Sequence, residues 1–131
     1  MEKKWLGIAG LLGVLVVMLG AFGAHGLKSQ LTPEQLTTYQ TGVQYHFYHT
    51  LGILGVAILM LHQKVKGLNT VAWLFLIGIV CFSGSVYLLA CRDLLGIASW
   101  TWLGPITPIG GILFIIGWGI LAWKGFTYKS E

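Results

Sequence analysis

The sequence predicts an all-α polytopic membrane protein, a bundle of four transmembrane helices with a short extracytoplasmic helix before the second span. Three observations predict it. Hydrophobic residues make up 56% of the 131 residues and charged residues only 9%, far from a soluble composition. Four apolar stretches, at roughly 5–24, 43–62, 69–91 and 103–123, each reach the about 20 residues that a helix needs to cross a hydrocarbon core of about 30 Å. None of them alternates with a period of two, and unpaired backbone groups in lipid cost several kcal/mol, so each is read as a helix. Residues 1–131 form one membrane domain, without internal repeat, low-complexity tract or Pro-rich linker.

The first span begins after Lys3 and Lys4 and ends near Ala21-Phe22-Gly23, a pattern that competes with a secretory signal peptide. Its apolar run of about 20 residues exceeds the usual 7 to 15 of such a segment, which favours a span. Ala9, Gly13, Gly20 and Ala24 share one face, and small residues allow close helix approach. Thr32-Pro33-Glu34-Gln35 then has the capping-box pattern, with proline at the first helical position. A helix therefore starts near Pro33, outside the membrane. Two readings fit it: it runs straight into the second span, or it lies on the outer surface and bends near Gly42.

The second span carries Gln44, Tyr48, Gly55 and His62 on one face and His46 and His49 on roughly the opposite one. One face serves the bundle, and the other is free for a homo-oligomer contact. In the third span Gly78, Cys81, Ser85 and Arg92 fall within about 60° on a helical wheel, placing Arg92 at the outer end of a small, polar face. The plainer reading has Arg92 snorkelling to headgroups and pairing loosely with Asp93 or a lipid phosphate. Cys81 and Cys91 stand about 15 Å apart along a continuous helix, too far for a disulfide. In the fourth span Thr107, Gly110, Phe114, Gly117 and Leu121 alternate spacings of three and four.

The net charge of +4 comes from basic residues scattered through short hydrophilic segments, which argues against nucleic acid and for membrane orientation. Lys3, Lys4, Lys64, Lys66, Lys124 and Lys129 fall on one side, Lys28 and Arg92 on the other. The lysine-rich side is expected to be cytoplasmic, giving a multi-pass cell-membrane protein with both termini inside. Aromatic belts agree, with Trp5, Trp73 and Trp123 at that face and Tyr45, Tyr48, Trp100 and Trp102 at the other.

Four motifs stand out: Gly20-Ala21-Phe22-Gly23-Ala24-His25, Tyr45-His46-Phe47-Tyr48-His49-Thr50-Leu51, Phe82-Ser83-Gly84-Ser85-Val86-Tyr87 and Ile106-Thr107-Pro108-Ile109-Gly110-Gly111. With the four-span layout, they resemble the bacterial membrane protein family called domain of unknown function four-two-three, related to human transmembrane protein two-five-six. The likeness covers nearly the whole chain. It implies the fold and little about activity. His46 departs from the pattern, where glutamine is usual, which makes it the weaker candidate among the histidines.

On this topology the motifs converge on the outer end, so His25, Gln44, His49, Ser85, Arg92 and Thr107 are the candidate ligand-binding residues, with Pro108 beside them. The expected role is binding of a lipid, a quinone-like molecule or a partner membrane protein. A small oligomeric transporter or channel is the first alternative, although none of Glu2, Glu34, Asp93 and Glu131 lies deep in a span, which disfavours coupling through a buried carboxylate. The second is a membrane-embedded enzyme or a haem or metal protein using His25 and His49, which needs free imidazole nitrogens on different helices. No third ligand of the usual spacing appears. Ser83 or Ser85 with His49 lacks an evident oxyanion hole, with only Asp93 as a carboxylate in reach. A Ser-Gly-Ser in a helix reads as close packing, with its hydroxyls bonded to the preceding turn. The balance is against an enzyme, with no catalytic or metal set and the cofactor unknown.

Overall fold

The computed structural model describes residues 2–63 and 65–129, and these are helical with short connections and no strand. Helix α1 spans Glu2–His25, α2 Pro33–Gln63, α3 Leu68–Ala90, α4 the single turn Arg92–Leu95, and α5 Leu103–Thr127. By length and composition α1, α3 and α5 are able to cross a membrane. The longest helix, α2 with 31 residues, also carries the most polar sequence.

Helix α2 starts where the capping box places it. Gln35 N–H donates to Thr32 Oγ1 at 3.2 Å and Thr32 N–H donates to Gln35 Oε1 at 3.1 Å, so two orphan donors of the first turn are satisfied reciprocally. From Pro33 the helix continues unbroken to Gln63. There is no separate short helix ahead of it, because the backbone stays helical through Gly42.

The long helices run antiparallel in sequence order. Helix α1 packs along α2, α2 along α3, and α3 along α5, whereas the backbones of α2 and α5 stay apart and meet through side chains. The terminal end of the bundle holds Trp5, whose indole donates to Asn69 Oδ1 at 2.7 Å, together with the loop at Gly67. The opposite, loop end has a small core of its own, where Leu27 and Leu31 pack with Tyr39, Ala90 and Cys91. Both tight loops use a left-handed glycine, Gly67 at φ 85° and Gly96 at φ 69°, a conformation that side chains with a Cβ rarely adopt.

Several packing expectations shift. The buried row of α1 is Trp5, Ala9, Leu12, Val16 and Gly23. Gly13 faces open space and Ala24 is exposed. The reason is Trp5, fully buried and bonded to Asn69 rather than seated among headgroups, which turns α1 about one residue from the small-residue row. On α2, His46 and His49 face the bundle while Gln44, Tyr48, Gly55 and His62 are exposed. The α5 row of Gly110, Phe114 and Gly117 is buried as its spacing predicts.

Helix α3 departs most from regular geometry. Residues Ile79–Gly84 form a π-helical segment, which rotates the faces on either side relative to an ideal α-helix. The segment packs against α5, where a Cβ on Gly110 would run into the Phe82 backbone. Arg92 therefore does not extend the face of Gly78 and Ser85. The helix breaks at Cys91, and Arg92 is exposed with its Nη1 donating to the Leu89 carbonyl at 3.0 Å. Cys81 and Cys91 are both free.

Candidate ligand site

Helix geometry separates the candidate residues into distinct places. Ser85 Oγ donates to the Phe82 carbonyl at 2.9 Å, so the 2.6 Å contact between Ser85 and Thr107 is donated by the threonine hydroxyl. This pair ties α3 to α5 near the loop end. Ser83 instead reaches across to α2 and donates to the Gly42 carbonyl at 2.8 Å. Only one of the two serine hydroxyls thus bonds its own preceding turn.

His49 belongs to another level of the bundle. Its partners lie along α5 at Phe114 and Trp118, seven and eleven residues beyond Thr107, or about 10 to 16 Å at 1.5 Å per residue. The ring stacks on Phe114 with centroids 3.5 Å apart and meets Phe75 edge-on at 5.3 Å. Nδ1–H donates to the Tyr45 carbonyl at 2.7 Å, and Nε2 accepts from the Trp118 indole at 3.0 Å. Both ring nitrogens of a neutral imidazole are then used, which leaves no lone pair for a metal or haem. Ser85 is bonded elsewhere, and Asp93 accepts from Gln35 Nε2 at 2.7 Å, so a serine, histidine and carboxylate do not assemble. Among the described residues no three His, Cys, Asp or Glu side chains gather as a metal site.

His46, the histidine that the resemblance ranked lower, has the less complete environment. It is 3% exposed, with Nδ1 2.9 Å from the Tyr87 hydroxyl. Its Nε2 is buried and has no hydrogen-bond partner among the described residues. No sequence spacing predicts this, since Tyr87 meets His46 only through the packing of α3 on α2. Trp118 was missed for the same reason, because it reaches His49 across the gap between α2 and α5.

At the loop end Gln44 joins a groove of about 240 Å³ between α1 and α2. Gly20, Gly23 and Ala24 form one wall, and Tyr39, Gln40, Val43 and Gln44 the other. The wall glycines admit large neighbours: Gly23 lies against the Tyr39 ring and Gly20 against Val43. The Tyr39 hydroxyl donates to the Leu19 carbonyl at 2.5 Å, which fixes the ring at the base of the seam. His25 follows directly as the exposed last residue of α1. The groove is thus lined by the first of the four sequence motifs and by the turns of α2 just ahead of the second, while the third motif pairs with the fourth through Ser85 and Thr107.

Residues 19–111 match the model of the family described as Protein of unknown function (DUF423). The chain belongs to this family. It is 43% identical over 119 residues to the UPF0382 membrane protein YwdK of Bacillus subtilis, covering 88% of this chain and 90% of the relative. A UPF0382 membrane protein of Haemophilus influenzae is 43% identical over 131 residues, with 99% of each chain covered. The UPF0382 inner membrane protein YgdD of Escherichia coli is 36% identical over 113 residues, covering 86% of this chain and 82% of the relative. No solved structure matches the chain. The protein is therefore an integral membrane protein, in keeping with the three helices able to cross a bilayer.

Proposed function

We propose that this protein is a four-span bundle of the bacterial cell membrane that binds an uncharged amphiphile, a lipid or quinone-like molecule presenting carbonyl oxygens, in the loop-end groove between α1 and α2. The observation that carries this reading is the pair Gln40 and Gln44. These amides stand one helical turn apart on the groove wall and are unpaired among the described residues. Each offers an N–H₂ to an acceptor, opposite a wall of small residues that lets a flat or flexible molecule approach. Gln40 and Gln44 are exposed at the outer margin of the span, where a headgroup with matching acceptors gains a hydrogen bond from each amide.

The frame of the proposal is that α2 also crosses the bilayer. At 31 residues it is about 46 Å long, enough for a hydrocarbon core of about 30 Å with its first turns standing outside. Its antiparallel packing between α1 and α3 supports this, as does the nearness of Trp5, Gly67 and Lys124 at a single end of the bundle. The lysine count favours that end as cytoplasmic; of the residues used in the charge reading, Lys64 and Glu131 lie outside the described residues. The inner-membrane relative of Escherichia coli supports the cell membrane.

The test is lipid and quinone analysis of protein purified in native nanodiscs. Gln44 is exposed, so Gln44→Leu is expected to fold, and Ala24→Leu fills the opposite wall. A bound amphiphile present in the wild type and lost in both variants supports the proposal. An unchanged profile of co-purified lipids and quinones in both overturns it.

A further inference from the structure

A second cleft has no place in that reading. It lies between α2 and α5, and its cause is a wedge: the fully buried Phe75 ring of α3 is pressed against both Gly52 of α2 and Gly117 of α5. The two helices flank the wedge without closing beyond it. Two cavities follow, of about 490 Å³ and about 280 Å³, which adjoin at Leu59 and Leu121 and lie end to end along the same seam. Its inner part is apolar, from Tyr48 and Trp118 past Gly55. From Tyr48 to Gln63 it follows α2 for about 22 Å, more than the about 15 Å of one leaflet's hydrocarbon.

The terminal end of the groove has a different chemistry. Lys124, Gln63 and Tyr128 line it, and among the described residues no acidic side chain lines either cavity. The lysine packs over Gly67, its Cε and Nζ 2.9 Å from where a Cβ on that glycine would sit, and Gly67 also needs its left-handed φ of 85°. Tyr128 donates to Gln63 Oε1 at 3.1 Å, which ties α5 to α2 across the mouth and leaves the Gln63 amide N–H₂ able to donate. A long apolar channel that ends in an amide donor and an ammonium with no acidic partner among the described residues matches one class of ligand.

We propose that the groove between α2 and α5 is a site for an anionic glycerophospholipid, with an acyl chain along Gly55, Leu59 and Leu121 and the phosphate at Lys124 and Gln63. A second copy of this chain is the rival occupant, but the groove end is cationic and a symmetric partner would bring its own Lys124. Phosphate oxygens satisfy the ammonium, and one juxtamembrane lysine contributes enough to bias lipid choice. This site is independent of the loop-end groove and stands or falls by itself.

The experiment is native mass spectrometry of the full chain from nanodiscs holding equal phosphatidylglycerol and phosphatidylethanolamine. The wild type is expected to retain phosphatidylglycerol at one per chain in preference to phosphatidylethanolamine. Lys124→Gln should reduce that preference by about fivefold. Gly55→Leu adds a side chain where the structure has open space, so it should fold normally, as melting checks, and retain neither lipid in the groove. Equal retention of both lipids in all three proteins overturns the proposal. So does a dimer that excludes lipid in the wild type and dissociates in Gly55→Leu.

Discussion

Helix α2 is held in opposite ways by its two sides. Apart from the loop-end groove, the seams toward α1 and α3 are closed: Gly23 receives the Tyr39 ring at the base of that groove, Gly42 lies under Tyr87 and Val86, and Ser83 bonds the Gly42 carbonyl. Toward α5 the seam is open, spanned by the His49 to Trp118 hydrogen bond above the Phe75 wedge, and Gly55 there meets nothing within 4 Å. The difference teaches that glycine in this protein has two uses. In closed seams it makes room for a ring or a backbone; in the open seam it keeps room for something that the chain itself does not supply.

The largest effect in this contrast is expected where a closed seam, that between α3 and α5, brings a glycine against backbone. Gly110→Val drives a branched side chain into the Phe82 backbone of the π segment, which cannot rotate away. A loss of about 3 kcal/mol is expected from overpacking, read as the shift in a reversible unfolding titration in mixed micelles. His49→Ala comes next. It removes the ring stacked on Phe114 and leaves the Trp118 N–H without its acceptor, costing about 2 to 4 kcal/mol in the same titration.

Trp118→Phe sharpens the same point, since it retains an aromatic ring while deleting the donor and part of the indole's bulk, for about 1 to 2 kcal/mol. Ser83→Ala removes one bond between helices and is expected to cost about 1 kcal/mol or less, the usual scale within membranes. The smallest effect belongs to the open seam. Gly55→Ala should lie between neutral and about 1 kcal/mol stabilising, because alanine is the better helix former and meets no neighbour there. If Gly55→Ala destabilises as much as Gly110→Val, the distinction between closed and open seams is wrong.

Much of the frame was legible because it rests on local rules. The capping box at Thr32 and Gln35, the apolar lengths of α1, α3 and α5, and the row of Gly110, Phe114 and Gly117 all follow from spacing within one segment. What was not legible depends on contacts between segments. The face of α1 turns on Trp5 choosing Asn69 as partner, which a wheel drawn on α1 alone cannot contain. The π segment rotates α3 and undoes the stripe drawn through Arg92. Ser85 and Thr107 do meet as motif neighbours, yet His49 sits two to three turns deeper with its nitrogens already taken. Gln44 was legible as a candidate, but Gln40, its companion on the groove wall, was not, since no motif marks it.

The most direct test of the account is to map where lipid dwells on the chain. Protein in nanodiscs carrying a trace of diazirine-bearing phospholipid is irradiated, digested and sequenced by mass spectrometry. Label is predicted to concentrate on two stretches of α2, at Gln40 to Gln44 and at Gly52 to Leu59, above that on the exposed residues Val17 of α1 and Ile115 of α5. Label spread evenly over those exposed faces, with α2 no richer than the rest, would contradict it.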